Sequence, residues 1–126
     1  MKGTGLKRSF ACALAGIAYA FRQERNMKIH GVAAIMAVGL GLFLRVSRWE
    51  WGLLLITIFI VLVAETINTA IEKAVDLQTE SYHPLAKAAK DLAAGAVLLT
   101  AIMAVIMAFL VFGPYLLNLL SFAGGG

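Results

Sequence analysis

The chain has 126 residues, of which 61% are hydrophobic and 14% charged, and its net charge is +4. That balance lies far from a soluble globular average and excludes a water-soluble catalytic domain, because one domain's length is spent on apolar segments. A single cysteine, Cys12, excludes an intrachain disulfide and reads as a packing residue.

Residues 1–28 open with Lys2, Lys7 and Arg8 and continue as an Ala-rich segment ending in Ala18-Tyr19-Ala20. This resembles a secretory leader, but the segment is only mildly apolar and carries helical order. Leu6, Phe10, Leu14, Ile17 and Phe21 recur at spacings of three and four, the pattern of an amphipathic helix lying on a membrane surface. If that helix continues, Glu24 falls on its apolar face. If it stops at Arg22, Glu24 is solvated. The pattern leaves both readings open.

Ile29 to Leu44, extended to Val46, forms the first hydrophobic span, with Gly31, Ala34, Gly39 and Gly41 giving small surfaces for close helix contact. His30 at its start reads as an interfacial residue rather than a metal ligand. Arg45 to Trp51 is a short polar turn flanked by aromatic anchors. The second span covers residues 51–71, and its lower half is amphipathic. Gln78 to Pro84 is a loop, with Pro84 placed to start the next helix. Leu92 to Phe112 is the third span, and Gly113-Pro114 is expected to end it. The chain therefore reads as one all-α integral membrane domain over residues 1–126. It consists of a surface helix (1–28) and three transmembrane helices (29–46, 51–71 and 92–112).

Nine cations flank the outer ends of spans one and two and the start of span three, against two, Arg45 and Arg48, in the turn between the first two spans. The positive-inside rule then puts the N-terminus and residues 72–91 in the cytoplasm and the C-terminus outside. No nucleic-acid partner is expected.

The second span runs without a break into Val63-Ala64-Glu65-Thr66-Ile67-Asn68-Thr69-Ala70-Ile71-Glu72-Lys73-Ala74-Val75-Asp76. At 100° per residue, Glu65, Asn68, Glu72 and Asp76 lie at about 0°, −60°, −20° and +20°, so one helix face carries a stripe of carboxylates out of an apolar slab. For Asp76 and Glu80 a solvated helix end is a sufficient explanation. For Glu65 it is not, because an unbroken run of apolar or Thr positions from Leu53 to Ala64 precedes it, and an ionisable group at membrane depth marks a functional site by default.

Glu24 and the Glu65 stripe meet at the same membrane face, with Tyr82, His83, Lys90 and Asp91 nearby. Carboxylates from different helices suit a hard divalent cation, and Mg²⁺ takes few of them, completing its shell with phosphates and water. A separate carboxylate deeper in the slab suits a proton acceptor, since loss of hydration makes such a group a stronger base. Together these describe phosphoryl transfer to a hydroxyl at membrane depth. No Walker A loop or protein-kinase signature is present. On pattern alone, a small proton-coupled transporter or channel using Glu65, or a structural subunit with acids at an oligomer contact, stays open.

The stretch Glu65 to Asp76 resembles the signature of the prokaryotic diacylglycerol kinase family, E-x-[aliphatic]-N-[ST]-[SA]-[aliphatic]-E-x-x-V-D, and matches it at every specified position. The likeness extends to the order of helices, to Glu24 before the first span and to Ala89-Lys90-Asp91 opening the third. It implies a homotrimer with active sites shared between subunits, in a bacterial cell membrane, that uses ATP and Mg²⁺ to phosphorylate a lipid alcohol. By position, Glu65 resembles the general base and Asn68 its support. Glu24 and Glu72 resemble the metal ligands and also serve the nucleotide. Tyr82, His83, Lys90 and Asp91 match the nucleotide-contacting segments. The lipid hydroxyl would lie at Glu65 and the lipid would enter beside Phe21, Asn26, His30 and Trp51. The family's N-terminal basic residue has Gly5 at its position here, so Lys7 or Arg8 would have to substitute. The run Glu24 to His30 and the Ile71-Glu72-Lys73 junction are similar to the Gram-positive undecaprenol kinases. The acceptor implied is therefore undecaprenol, with diacylglycerol as the alternative.

Overall fold

A computed structural model describes residues 2–125, with side chains from Gly5 onward. It is all helical among those residues: α1 (Lys2–Gln23), α2 (Arg25–Leu44), α3 (Arg48–Gln78) and α4 (Pro84–Gly124). The last three are long and apolar enough to cross a membrane.

The helix ends follow from local chemistry. Glu24 takes an extended conformation, φ −103° and ψ 118°, and separates α1 from α2. The expected surface helix of residues 1–28 is thus cut, and its last four residues begin the next helix. At the other end of α2, Arg45 adopts the left-handed conformation at φ 55° and ψ 51°, and the Val46 N–H donates to the Gly41 carbonyl. That satisfies a carbonyl left free by the helix end. Ser47 then caps α3 through a reciprocal box: its hydroxyl accepts from the Glu50 N–H, and the Glu50 carboxylate accepts from the Ser47 N–H. The connection is three residues long, and Trp49 and Trp51, expected in the turn, belong to α3.

α4 does not end at Gly113-Pro114 but continues through Pro114 to Gly124. A proline removes one backbone hydrogen bond. Here the helix is fastened on both sides of it: Val111 and Phe112 are buried in the core, and the Tyr115 hydroxyl donates to Glu50 Oε1 at 2.7 Å. Packing outweighs the missing bond.

α3 and α4 lie antiparallel, joined at one end by Tyr115–Glu50 and at the other by an ion pair between Lys90 and Asp76. The apolar core, Val46, Leu54, Val111 and Phe112 with Trp51 and Tyr115 around it, sits at the end that carries the α2–α3 turn. In α1 four of the five residues of the predicted stripe, Leu6, Phe10, Leu14 and Ile17, are exposed, while Phe21 is half-buried; among the described residues the helix meets the bundle near its end, through Tyr19, Ala20 and Phe21.

Two glycines permit close approaches. A Cβ on Gly41 would lie 2.8 Å from the Trp51 ring, and one on Gly31 would lie 2.9 Å from the Phe21 ring. Gly41→Ala is therefore expected to destabilise the protein by about 1–3 kcal/mol through overpacking, despite alanine's better helix propensity. Denaturant unfolding in detergent checks this, and Gly41→Ala should cost nothing further when it is made in a Trp51→Ala background.

A carboxylate site at one end of the bundle

The buried face of α3 reads Leu54, Thr57, Val61, Glu65, Asn68 and Thr69. These positions follow the helical repeat, so the stripe of carboxylates is the continuation of the stripe that packs the core. Glu65 is buried because it occupies a core position of a helix whose direction is set by Leu54 and Val61 below it. Its side chain is 2% exposed.

Around Glu65 the structure gathers polar groups from α2, α3 and the break between α1 and α2. The His30 Nε2 of α2 stands 3.7 Å from Glu65 Oε2, a charge-range contact too long for a hydrogen bond. Glu24 and Glu72 also lie within electrostatic reach of the Glu65 carboxylate. The Asn68 amide donates to Glu72 Oε1 at 3.2 Å, and the Thr69 hydroxyl donates to the Glu65 carbonyl at 3.0 Å. Lys73 Nζ stands 4.0 Å from Glu24 Oε1. Two buried oxygens, Glu65 Oε2 and Asn68 Oδ1, find no hydrogen-bond partner among the described residues.

Farther along α3, a cleft of about 580 Å³ opens between its last turns and the start of α4. Asp76, Tyr82, His83, Lys87, Lys90 and Asp91 line it. His83 shapes the loop by capping α4, its Nδ1 accepting from the Leu85 N–H at 3.1 Å. Lys90 pairs with Asp76 across the cleft, and Lys87 pairs with Asp91 on α4 itself. At 1.5 Å per residue, Glu72 lies about 10 Å and Asp76 about 16 Å from Glu65 along the axis of α3.

On the other side of Glu65, an apolar groove of about 320 Å³ runs from His30 toward Leu54 and Phe112. Ala33, Ala34 and Ala37 form one wall and Ala101, Ala104 and Ala108 the other, with Thr57 and Val61 at the base.

The predicted residues thus fall into three places. Glu24, Glu65, Asn68, Glu72 and His30 come together. Tyr82, His83, Lys90 and Asp91 share the cleft. Phe21 packs over Gly31 one residue from His30, and Asn26 is exposed on the first turn of α2. Trp51 is not brought to them: it packs on Gly41, about 21 Å down α3 from Glu65. The Glu24 ambiguity resolves into neither alternative. The helix stops, yet the side chain is only 22% exposed and turns toward Lys73. Thr69, which the helical angles put within about 40° of Glu65 on the same face, does lie beside it. Lys73 was not singled out from the sequence and could not have been, since its partner lies on another element.

Among the described residues, no three His, Cys, Asp or Glu side chains form a complete metal cage. The donor set fits Mg²⁺ all the same. It offers hard carboxylate oxygens on two elements, and this metal ordinarily draws its remaining ligands from phosphates and water.

Fold and site together define a class: a small, multi-pass, all-helical membrane protein with an acidic centre sunk into one end of its bundle. Comparison with known proteins makes this specific. The profile of the prokaryotic diacylglycerol kinase family matches residues 11–112. A diacylglycerol kinase of Synechocystis sp. is 47% identical over 116 residues, covering 89% of this chain and 65% of that protein. An undecaprenol kinase of Bacillus subtilis is 43% identical over 109 residues, covering 86% of this chain and 89% of that protein. A diacylglycerol kinase of Helicobacter pylori is 37% identical over 121 residues, covering 94% and 91%. The chain belongs to the prokaryotic diacylglycerol kinase family and is a lipid kinase.

Asn68→Leu removes the donor to Glu72 and leaves that carboxylate free to turn. Kinase activity should fall at least about tenfold, the scale of losing a group that orients a ligand. Circular dichroism and size exclusion should stay as in the parent.

Proposed function

We propose that this protein transfers the γ-phosphoryl group of ATP to the hydroxyl of a membrane lipid alcohol, most specifically undecaprenol, giving undecaprenyl phosphate. The observation that carries the reading is Glu65: a carboxylate with an unpartnered buried oxygen, set between an apolar groove and a polar cleft. A lipid lies with its chain along the groove and its hydroxyl at Glu65. The nucleotide lies toward Tyr82, His83, Lys90 and Asp91.

Glu65 takes the proton from the hydroxyl as its oxygen bonds to the γ-phosphorus and the bond to ADP breaks. Asn68 holds Glu72 in place, and His30 stands beside the Glu65 carboxylate on the groove side. Glu24 and Glu72 would hold Mg²⁺, which when bound neutralises charge on the phosphates. Transfer of this kind depends on positioning and electrostatics more than on covalent chemistry by the protein. The choice of undecaprenol rests on the likeness of the Glu24 to His30 run and the Ile71-Glu72-Lys73 junction to the undecaprenol kinases. Groove shape alone separates apolar chains by small factors.

The active assembly in this reading is a homotrimer in a bacterial cell membrane, with sites shared between neighbours and facing the cytoplasm. The α1 stripe of Leu6, Phe10, Leu14 and Ile17 rests in the membrane surface.

The reading is tested by ³²P transfer from γ-labelled ATP in mixed micelles, with undecaprenol and diacylglycerol competing and Mg²⁺ present or chelated. Mg²⁺-dependent labelling of undecaprenol in preference is expected, while preferential labelling of diacylglycerol would select the other acceptor. Glu65→Gln should abolish transfer with the fold intact, because an amide accepts no proton. Retained turnover would remove Glu65 from the role of base. Mixing Glu65→Gln with Glu24→Gln subunits should restore part of the activity when sites are shared, and an absence of rescue in mixed trimers would place each site within one subunit.

A further inference from the structure

Glu24 occupies the N-cap position of α2, where an acidic side chain ordinarily accepts from the free N–H groups of the first turn. It makes no such bond. Its carboxylate turns instead to Lys73, whose Nζ stands 4.0 Å from Oε1. Lys73 follows Glu72 by one residue, about 100° round α3, which carries its side chain off the buried stripe and toward the end of α1. There its Nζ lies 5.9 Å from the centre of the Tyr19 ring, within the range of a cation–π contact. Lys87 and Lys90 are engaged by Asp91 and Asp76 at the cleft, so Lys73 is the lysine whose ion pair falls on this group of carboxylates among the described residues.

We propose that Lys73 is the resident counter-ion of the metal site, a positioning residue that competes with the divalent cation for Glu24. The inference rests on Glu24 and Glu72 as metal ligands. Glu24 and Glu72 each lie within electrostatic reach of Glu65 and repel it, and an ammonium beside Glu24 offsets part of that repulsion. A divalent cation offers the same oxygens a larger charge at shorter range. When it binds, Lys73 gives up Glu24 and keeps the Tyr19 ring face as a second partner. The lysine therefore holds Glu24 in line, away from the helix end it would otherwise cap, at the expense of metal affinity.

The lone cysteine gives a local probe. Cys12 is exposed on α1, about 18 Å along that helix from Glu24. A nitroxide there loses spectral amplitude when Mn²⁺ binds nearby, whatever happens to Mn²⁺ in bulk solution. The labelled enzyme in lipid nanodiscs, saturated with a non-hydrolysable ATP analogue, is titrated with Mn²⁺. The same titration is run on Lys73→Met, Lys73→Arg and Glu72→Gln.

Lys73→Met is expected to bind Mn²⁺ at about two- to five-fold lower concentration, the scale of an exposed ion pair. Lys73→Arg should keep the parent midpoint, and Glu72→Gln should raise it. Lys73 is more than half exposed, so the methionine variant should fold, and Lys73→Gln repeats the test if it does not. An unchanged or higher midpoint in Lys73→Met, with Glu72→Gln still weakening binding, would overturn the counter-ion role alone. A parent protein whose Mn²⁺ response is indifferent to Glu72 would overturn the metal assignment and this inference with it.

Discussion

The Glu65 carboxylate sits at a core position of α3, with its side chain 2% exposed and one oxygen unpartnered. A buried charge is tolerated only where neighbours of suitable polarity stand close by. The surroundings of Glu65 answer part of that demand: α2 delivers His30 beside the carboxylate and α3 itself delivers Asn68, while Glu24, at the break between α1 and α2, adds a like charge that a cation must offset. The short α2–α3 connection matters for the same reason. A left-handed Arg45 and the Ser47–Glu50 box turn the chain back within three residues and set the relative height of α2 and α3. His30 stands level with Glu65 because the turn leaves little slack.

The bundle divides its labour along its length. The apolar contacts of Val46, Leu54, Trp51, Val111 and Phe112 gather at the turn end, with the Tyr115–Glu50 bond beside them. The carboxylates, the cleft and the His83 cap occupy the opposite end. A lipid kinase has to admit a nucleotide from water and an alcohol from the bilayer to one place. A bundle packed tightly at one end and polar at the other offers both routes without a separate domain.

Much of this was readable in the sequence because one helical repeat governs both the core and the site. The angles that put Glu65, Asn68 and Glu72 on one face also put them on the face of Leu54 and Val61, and hydropathy located three apolar helices. What escaped depended on contacts between elements. Glu24 sat at the junction of two sound helical patterns, and only its extended backbone shows where one stops. Trp51 looked like a companion of His30, because the sequence does not say how far apart a turn leaves two residues on neighbouring helices. Pro114 is an ordinary stop signal, overridden by a tyrosine hydroxyl that finds its partner 65 positions earlier in the chain. Lys73 occupies a position that the family signature leaves free, and its interest lies wholly in Glu24 and Tyr19.

The continuity of the α3 stripe restricts how this chain can vary in length. One residue gained or lost between Leu54 and Glu65 would rotate everything after it by about 100° and carry Glu65 and Asn68 from the bundle interior to the lipid face. The site would be lost, and the packing of α3 on α4 beyond the change would lose its register with it. A change of length in the loop of residues 79–83 leaves that register untouched, as does one in the end of α4 beyond Tyr115. Insertions and deletions among homologues should therefore collect at those two places and spare the interior of α3, so that the spacing within that helix is inherited as strictly as the residues themselves.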